Sequence, residues 1–318
     1  MSTSGTNTFT QVKNQIIELA YSRAGILSDE NSLTAFQIER GSTLLNIMIK
    51  NWIIEGVRLW KQAKGTLFLE RGQASYNLNG SSANATEDYD ETETTADALS
   101  GATTIPVADT TGFVVGYNIG VMQDNGSIHW TTIANIASLV ITLDDPLTYD
   151  TVSGSDVFVY QTKINRPENI INAQCQISNG IQIAMQLLAR DTYDAIALKD
   201  QQGIPTQLYY NKQLSFGEIK VFQTPSSEIY KILFTFQKQF FDMTNPTTDF
   251  DFPTEWLKPL YTNLAKILIG FNSVKDPQFI ADLKEEATTD LALVKGFDDD
   301  LESIYFYPAS DDNRGTYL

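Results

Sequence analysis

The sequence predicts an α+β protein in which helix pairs at the two chain ends pack together and a β-rich region fills the middle. Three observations carry this. Apolar residues recur at three- and four-residue steps near both ends, and short alternating runs separated by turn clusters fill the centre. The 318 residues, 42% hydrophobic and 11% aromatic, suffice for a sizeable core.

Residues 1–78 are expected to form a helical hairpin followed by a β-hairpin. From Thr8 to Ala24 the side chains of Phe9, Val12, Ile16, Leu19 and Ala20 share one helical face, and Gly25 is placed to end that helix in the left-handed region. Thr34 and Gln37 fit a capping box, with Leu33 and Ile38 as its hydrophobic staple. The helix they open runs to Trp52 and stops at Glu55-Gly56. TLFLE and ASYNL, on either side of Arg71-Gly72, predict the β-hairpin.

Residues 79–97 hold six acids and no aliphatic side chain larger than Ala, which predicts an acidic loop or linker. Residues 98–162 change texture to ATTIPVA, GYNIGVM, SIHWTTI, LVITL and DVFVY, and predict an inserted small β domain, a barrel or a sandwich. Residues 163–250 continue as a β-rich region with one short helix, ARDTYDAIAL, and a turn at Asn179-Gly180. Residues 251–297 return to a helical pair: Trp256, Leu257, Leu260, Leu264, Ile267, Leu268 and Phe271 form one stripe, and a second helix follows Pro277. Pro259 predicts a kink in the first of these. Residues 298–318 are an acidic, aromatic tail, and Trp52, Trp60 and Trp256 are the candidate core of the helical body.

Composition narrows the function. With 22 basic and 39 acidic residues the net charge is -17; residues 1–80 hold 8 and 6 of these, so the remaining 14 and 33 give the rest of the chain -19. The start, MSTSGTNTFT, does not read as a secretory signal, and no apolar run approaches the roughly 20 residues of a membrane span, so synthesis and folding in a cytosol are expected. One cysteine, Cys175, excludes an intramolecular disulfide framework; with a single histidine, His129, it also excludes the usual zinc sites. Nucleophile-elbow, phosphate-loop and dinucleotide motifs are absent. A non-enzyme is expected.

The remaining candidates have bland readings. Glu87, Asp88, Asp90 and Glu91 offer carboxylate pairs for glycoside hydrolysis but read as a solvated loop. Asp144-Asp145, Asp298 to Asp300 and Asp311-Asp312 offer oxygen ligands for calcium without matching a twelve-residue calcium loop. His129 reads as a surface strand residue pointing opposite to Trp130, and Cys175 as a buried small hydrophobe. Arg58, Lys61, Lys64 and Arg71, interleaved with Trp60 and Phe68, form a basic cluster able to touch phosphates. The overall charge nonetheless repels nucleic acid, which suits a conduit for DNA better than a binder.

The run IIELAYSRAGIL, then LLNIMIKNWIIEGVRLWKQ with a strand pair after it, resembles the N-terminal region of head-to-tail adaptor proteins of short-tailed bacteriophages. KDQQGIPTQLYYNK and DFPTEWLKPLYTNLAKIL are similar to segments of that adaptor and tail-tube group, and SGATTIPVADTTGFVVGYNIGVM resembles β insertions of phage structural proteins. The resemblance covers most of the chain. It implies a dodecameric ring with an α-helical body, docked on the portal protein at the head-tail junction of a virion assembled in the host cytoplasm. It also implies a DNA channel without sequence-specific binding, no cofactor, no membrane, and a platform for other tail proteins such as nozzle and fibres. A chain end commonly inserts into the portal in such rings, which makes Tyr305, Phe306, Tyr307 and Tyr317 the candidate docking residues. The long middle region departs from the smaller adaptors and leaves a tail-tube or receptor-facing role as the alternative.

Overall fold

The structure, a computed structural model, describes residues 13–27, 32–54, 62–177, 180–227, 229–239, 254–271 and 276–297. The chain divides into two compact units, one of residues 1–60 with 241–318 and one of residues 61–240.

The first unit holds the helices of both chain ends: α1 (Lys13–Arg23), α2 (Ala35–Ile54) and, after α3 of the other unit, α4 (Leu257–Leu268) and α5 (Pro277–Phe297). The end of α1 follows from one glycine. Gly25 has a φ of 66°, its N–H donates to the Ser22 carbonyl at 2.9 Å, and Ile26 N–H donates to the Tyr21 carbonyl at 3.0 Å, the paired bonds of a Schellman motif. The start of α2 is a reciprocal capping box. Gln37 N–H donates to Thr34 Oγ1 at 3.3 Å, and Thr34 N–H donates to Gln37 Oε1 at 2.8 Å. Gly41 lets α1 and α2 approach closely, since a Cβ there would meet Ile17 Cγ2 at 2.5 Å.

Helix α4 packs against α1, α2 and α5, and its Leu260, Leu264, Ala265 and Leu268 are buried. The Asn263 side-chain amide donates to the Ala287 carbonyl at 2.9 Å, tying α4 to α5 through a backbone oxygen. Pro259 is the third residue of α4, within its first two turns, where a missing N–H leaves no intrahelical carbonyl unpaired, and a three-residue 3₁₀ turn at Thr254–Trp256 precedes the helix.

The second unit is β throughout apart from the short helix α3 (Arg190–Asp194). In order its strands are β1 (Gln62–Phe68), β2 (Ser75–Leu78), β3 (Ala85–Thr86), β4 (Asp90–Glu93), β5 (Thr104–Pro106), β6 (Asn118–Met122), β7 (Ile128–Ala137), β8 (Val140–Leu143) and β9 (Asp156–Tyr160). Then come β10 (Asn169–Gln176), β11 (Gln182–Ala184), β12 (Gln186–Leu188), β13 (Gln202–Gly203), β14 (Gln207–Lys212), β15 (Gly217–Phe222), β16 (Thr224–Pro225) and β17 (Lys231–Gln237). A five-stranded sheet, β11-β10-β17-β1-β3, and a four-stranded sheet, β12-β14-β15-β2, contribute to one core that includes Leu67, Tyr76, Cys175, Leu208, Ile219 and Phe234. Strands β13 and β16 form a separate parallel pair.

Strands β4 to β9 form a six-stranded sheet in the order β4-β9-β6-β7-β8-β5. Its two outer strands continue into each other: Thr94 bridges Val107, Ala108 N–H donates to the Glu93 carbonyl at 2.9 Å, and Thr95 N–H donates to the Pro106 carbonyl at 3.0 Å. The bridge draws the outer strands together, and the sheet curls into a small half-barrel. Ile105, Val107, Ile119, Val121, Ile133, Ile141, Val157 and Val159 fill it.

This architecture overturns the expected fold class. Seventeen strands stand against five α-helices among the described residues, so the protein is β-rich with several sheets, and terminal helix pairs forming an α-helical ring body are not its architecture. The expected linker at 79–97 is also corrected, because β3 and β4 lie inside it with Ala85, Thr86, Thr92 and Thr94 buried. Ala85 belongs to the core shared by the five- and four-stranded sheets, and Thr92 and Thr94 are buried at the β4 side of the six-stranded sheet, so small side chains take buried places in a segment that is polar in composition.

The expected hairpin around Arg71-Gly72 is a corner between two sheets. Strand β1 pairs with β17 over seven residues, from Gln62 opposite Gln237 to Phe68 opposite Lys231, whereas β2 pairs with β15. The buried Tyr76 fixes the corner: its hydroxyl accepts from Glu70 N–H at 2.9 Å and donates to the Gln73 carbonyl at 3.0 Å. Gly72, with a φ of 78°, supplies the left-handed residue the turn needs.

Candidate functional site

The candidate helical core is brought together in part. Trp52 and Trp256 are buried with ring centroids 5.9 Å apart, and Trp60 lies outside the described residues. Beside them runs a charged network. The Arg23 guanidinium donates to Glu286, and Lys258 Nζ lies 2.8 Å from Asp290 Oδ1, whose hydrogen bond raises the lysine's pKa. The docking candidates Tyr305, Phe306, Tyr307 and Tyr317, and the aspartates at 298–300 and 311–312, also lie outside the described residues.

Glu87, Asp88 and Asp90 line a cleft of about 360 Å³ with Tyr89, Tyr117 and Tyr160. All three carboxylates, and Glu91, are exposed; Glu87 is paired with Lys238 at 2.6 Å and Glu91 with Lys231 at 3.3 Å. The burial that tunes a carboxyl group into a general acid is not found at these four residues. Asp144 accepts from Thr132 Oγ1, and Asp145 Oδ2 accepts from Thr131 Oγ1 at 3.1 Å, so both are engaged in holding their turn. Among the described residues no group of three or more His, Cys, Asp or Glu side chains is placed to hold a metal ion. No helix among them is long and apolar enough to cross a membrane.

His129 lies on β7 as expected but is 9% exposed, not a surface residue; its Nε2 is 3.3 Å from the Asp145 carbonyl. Cys175 is fully buried, and burial pushes its thiol up to about 11. Of the basic cluster, Lys64 and Arg71 are exposed, Arg58 and Lys61 lie outside the described residues, and Phe68 faces inward. Those described residues do not form a basic surface interleaved with aromatics.

What sequence reasoning missed is where Phe68 goes. Its ring centroid lies 4.9 Å from Phe158, 5.1 Å from Trp130 and 5.2 Å from Tyr89, in an aromatic cluster on the outside of the barrel. Gly120, opposite Trp130 in the β6–β7 register, leaves the space over which the indole lies. Into this cluster β17 sends Lys231, 8% exposed, with Nζ 4.1 Å from the Phe158 centroid and 5.0 Å from that of Tyr89. The cation thus sits against ring faces from β9 and the β3–β4 connection, with the Glu91 carboxylate as its counter-ion. The signal available in the sequence was weak: one lysine heading a run of apolar strand residues.

A stronger signal was present and passed over. Residues 72–162 contain no Lys or Arg and twelve Asp or Glu, so the barrel carries no cation of its own. Searches against protein-family models and against curated proteins find no match.

Proposed function

We propose that this chain is a virion structural protein, a head-to-tail adaptor that docks on the portal, assembles as a ring and gives the tail its attachment platform. The observation that carries the reading is the way the chain is divided. Helices from both ends belong to one unit, and the whole of residues 61–240 is a single β excursion from it. A protein of that design offers two separate surfaces, one made by the chain ends and one by the insertion, as a connector between two assemblies requires. The quoted segments similar to adaptor proteins support the same reading, and the acidic middle suits a surface past which DNA slides without being gripped.

The predominance of β structure favours a second reading, a tail-tube or receptor-facing component that does not touch the portal. Electron microscopy of virions carrying a labelled copy separates the two. Label at the head-tail junction is the outcome expected of an adaptor; label confined to the distal tail removes the portal from its partners.

A further inference from the structure

The barrel has two ends with different surroundings. The chain comes in through β4 and leaves through β9, with Asp90 opposite Val159 at the connected end and Glu93 opposite Asp156 toward the other. Beyond that free end, residues 97–101 and 147–153 are laced together. Ala98 and Thr151 exchange both backbone hydrogen bonds at 2.9 and 2.8 Å, Gly101 N–H donates to the Leu147 carbonyl at 2.8 Å, and Ser100 Oγ donates to the Thr148 carbonyl at 2.8 Å. Two carboxylates lock the same segment: Asp150 Oδ1 accepts from Ser100 N–H at 2.6 Å, and Asp97 Oδ1 accepts from Ser153 N–H at 2.8 Å.

This register sorts the side chains. Ala98 and Thr151 point into the barrel and are buried, so their neighbours alternate outward: Leu99 beside Asp150, and Val152 beside Asp97. Leu99 is 71% exposed and Val152 51%. Large apolar side chains on a rigid, hydrogen-bonded platform, rimmed by acids, have the composition of an interface whose apolar centre is ringed by polar groups.

We infer that this free end of the barrel is a docking surface for a basic protein segment in which Lys or Arg side chains alternate with apolar ones. Charge selects the occupant. Glu93, Asp97, Asp124, Asp150 and Asp156 lie toward this end, and no Lys or Arg occurs in residues 72–162, whereas Glu87 and Glu91 at the connected end are paired with Lys238 and Lys231; at the free end nucleic acid and anionic lipid are therefore repelled while Lys and Arg are drawn in. The apolar residues select further: Leu99 and Val152 gain only from a partner that covers them with apolar area. The inference uses the barrel alone and stands independently of the adaptor reading, which portal binding tests separately.

The test uses the full chain and two fluorescent peptides of equal charge, one alternating Lys with Leu and one alternating Lys with Ser, with binding read by anisotropy. The Lys-Leu peptide is expected to bind more tightly by about tenfold, and to lose about tenfold in a Leu99→Ser, Val152→Ser protein. Because both residues are exposed, the melting temperature of that variant should equal that of the wild type. A Val114→Ser, Leu139→Ser protein, altered at exposed residues outside the free end, should bind as the wild type does. Equal affinity for the two peptides, or binding unchanged by the Leu99 and Val152 substitutions, reduces the effect to bulk charge and overturns the inference, as does absence of binding. Self-association that the same substitutions abolish assigns the surface to a second copy of the chain and also overturns it.

Discussion

Lys231 illustrates how much a single buried cation depends on its surroundings. Its ion pair with Glu91 is half open to water, the carboxylate side chain being 46% exposed, so the pair alone contributes at most about 1 kcal/mol. The ring faces of Phe158 and Tyr89 meet the ammonium where little water reaches it, and a desolvated cation–π contact contributes about 2 kcal/mol. Lys231→Ala should therefore lower the stability measured by urea unfolding by about 2 kcal/mol, against less than about 1 kcal/mol for Glu91→Gln. Equal losses would move the stabilisation from the aromatic faces to the ion pair. Residue-level legibility followed sequence distance. Thr34 and Gln37, three positions apart, announce their capping box, whereas Lys231, Phe68, Tyr89 and Phe158 come together only through pairing between distant strands.

At the scale of elements, the readings that held were governed by local chemistry. Gly25 ends α1, Thr34 opens α2, and β10 pairs antiparallel with β11 on either side of the turn expected at Asn179-Gly180, of which Asn179 lies outside the described residues. Those that failed required knowing a partner. The segments around Arg71-Gly72 resemble a hairpin in pattern, yet the seven-residue pairing of β1 with β17 separates them into two sheets. The segment 79–97 resembles a linker because threonine and alanine do the work of larger side chains at Thr92, Thr94 and Ala85.

Two buried tyrosines, Tyr76 and Tyr160, and the half-buried Tyr210 mark the β unit for an alkaline test. Burial raises the phenol pKa of Tyr76, Tyr160 and Tyr210, and each hydroxyl donates a hydrogen bond, to Gln73, Asn84 and Pro167 respectively. Above the ordinary value near 10 the unfolded chain loses protons that the folded one keeps, so stability is full below pH 10 and falls as pH rises. Each group contributes up to about 1.4 kcal/mol per pH unit. Far-ultraviolet circular dichroism should show the β signal melting at progressively lower temperature above pH 10, together with the rise in tyrosinate absorbance. Because the chain has 14 tyrosines and exposed ones such as Tyr149 ionise first, the decisive signal is the fraction of tyrosinate that appears only with unfolding; complete ionisation before the fold is lost would place these phenols in contact with water.

At the scale of the whole molecule, the charge division and the fold division do not coincide: residues 1–60 with 241–318 hold 11 basic and 20 acidic residues, and the β unit, residues 61–240, holds 11 and 19. What sets the β unit apart is its cation-free stretch, residues 72–162. The helices at both chain ends were legible because their stripes and caps are periodic and local; the predominance of β structure was not, because seventeen short strands each leave a weak trace. A chain so divided is suited to holding one assembly with its ends and another with its insertion, and that is the central claim. Mass photometry of the purified protein, alone and mixed with the portal protein that the adaptor proposal requires, tests it most directly. The adaptor account predicts a discrete complex with many copies of this chain on each portal ring. Two unshifted mass peaks in the mixture, each at the value of its component alone, would contradict it.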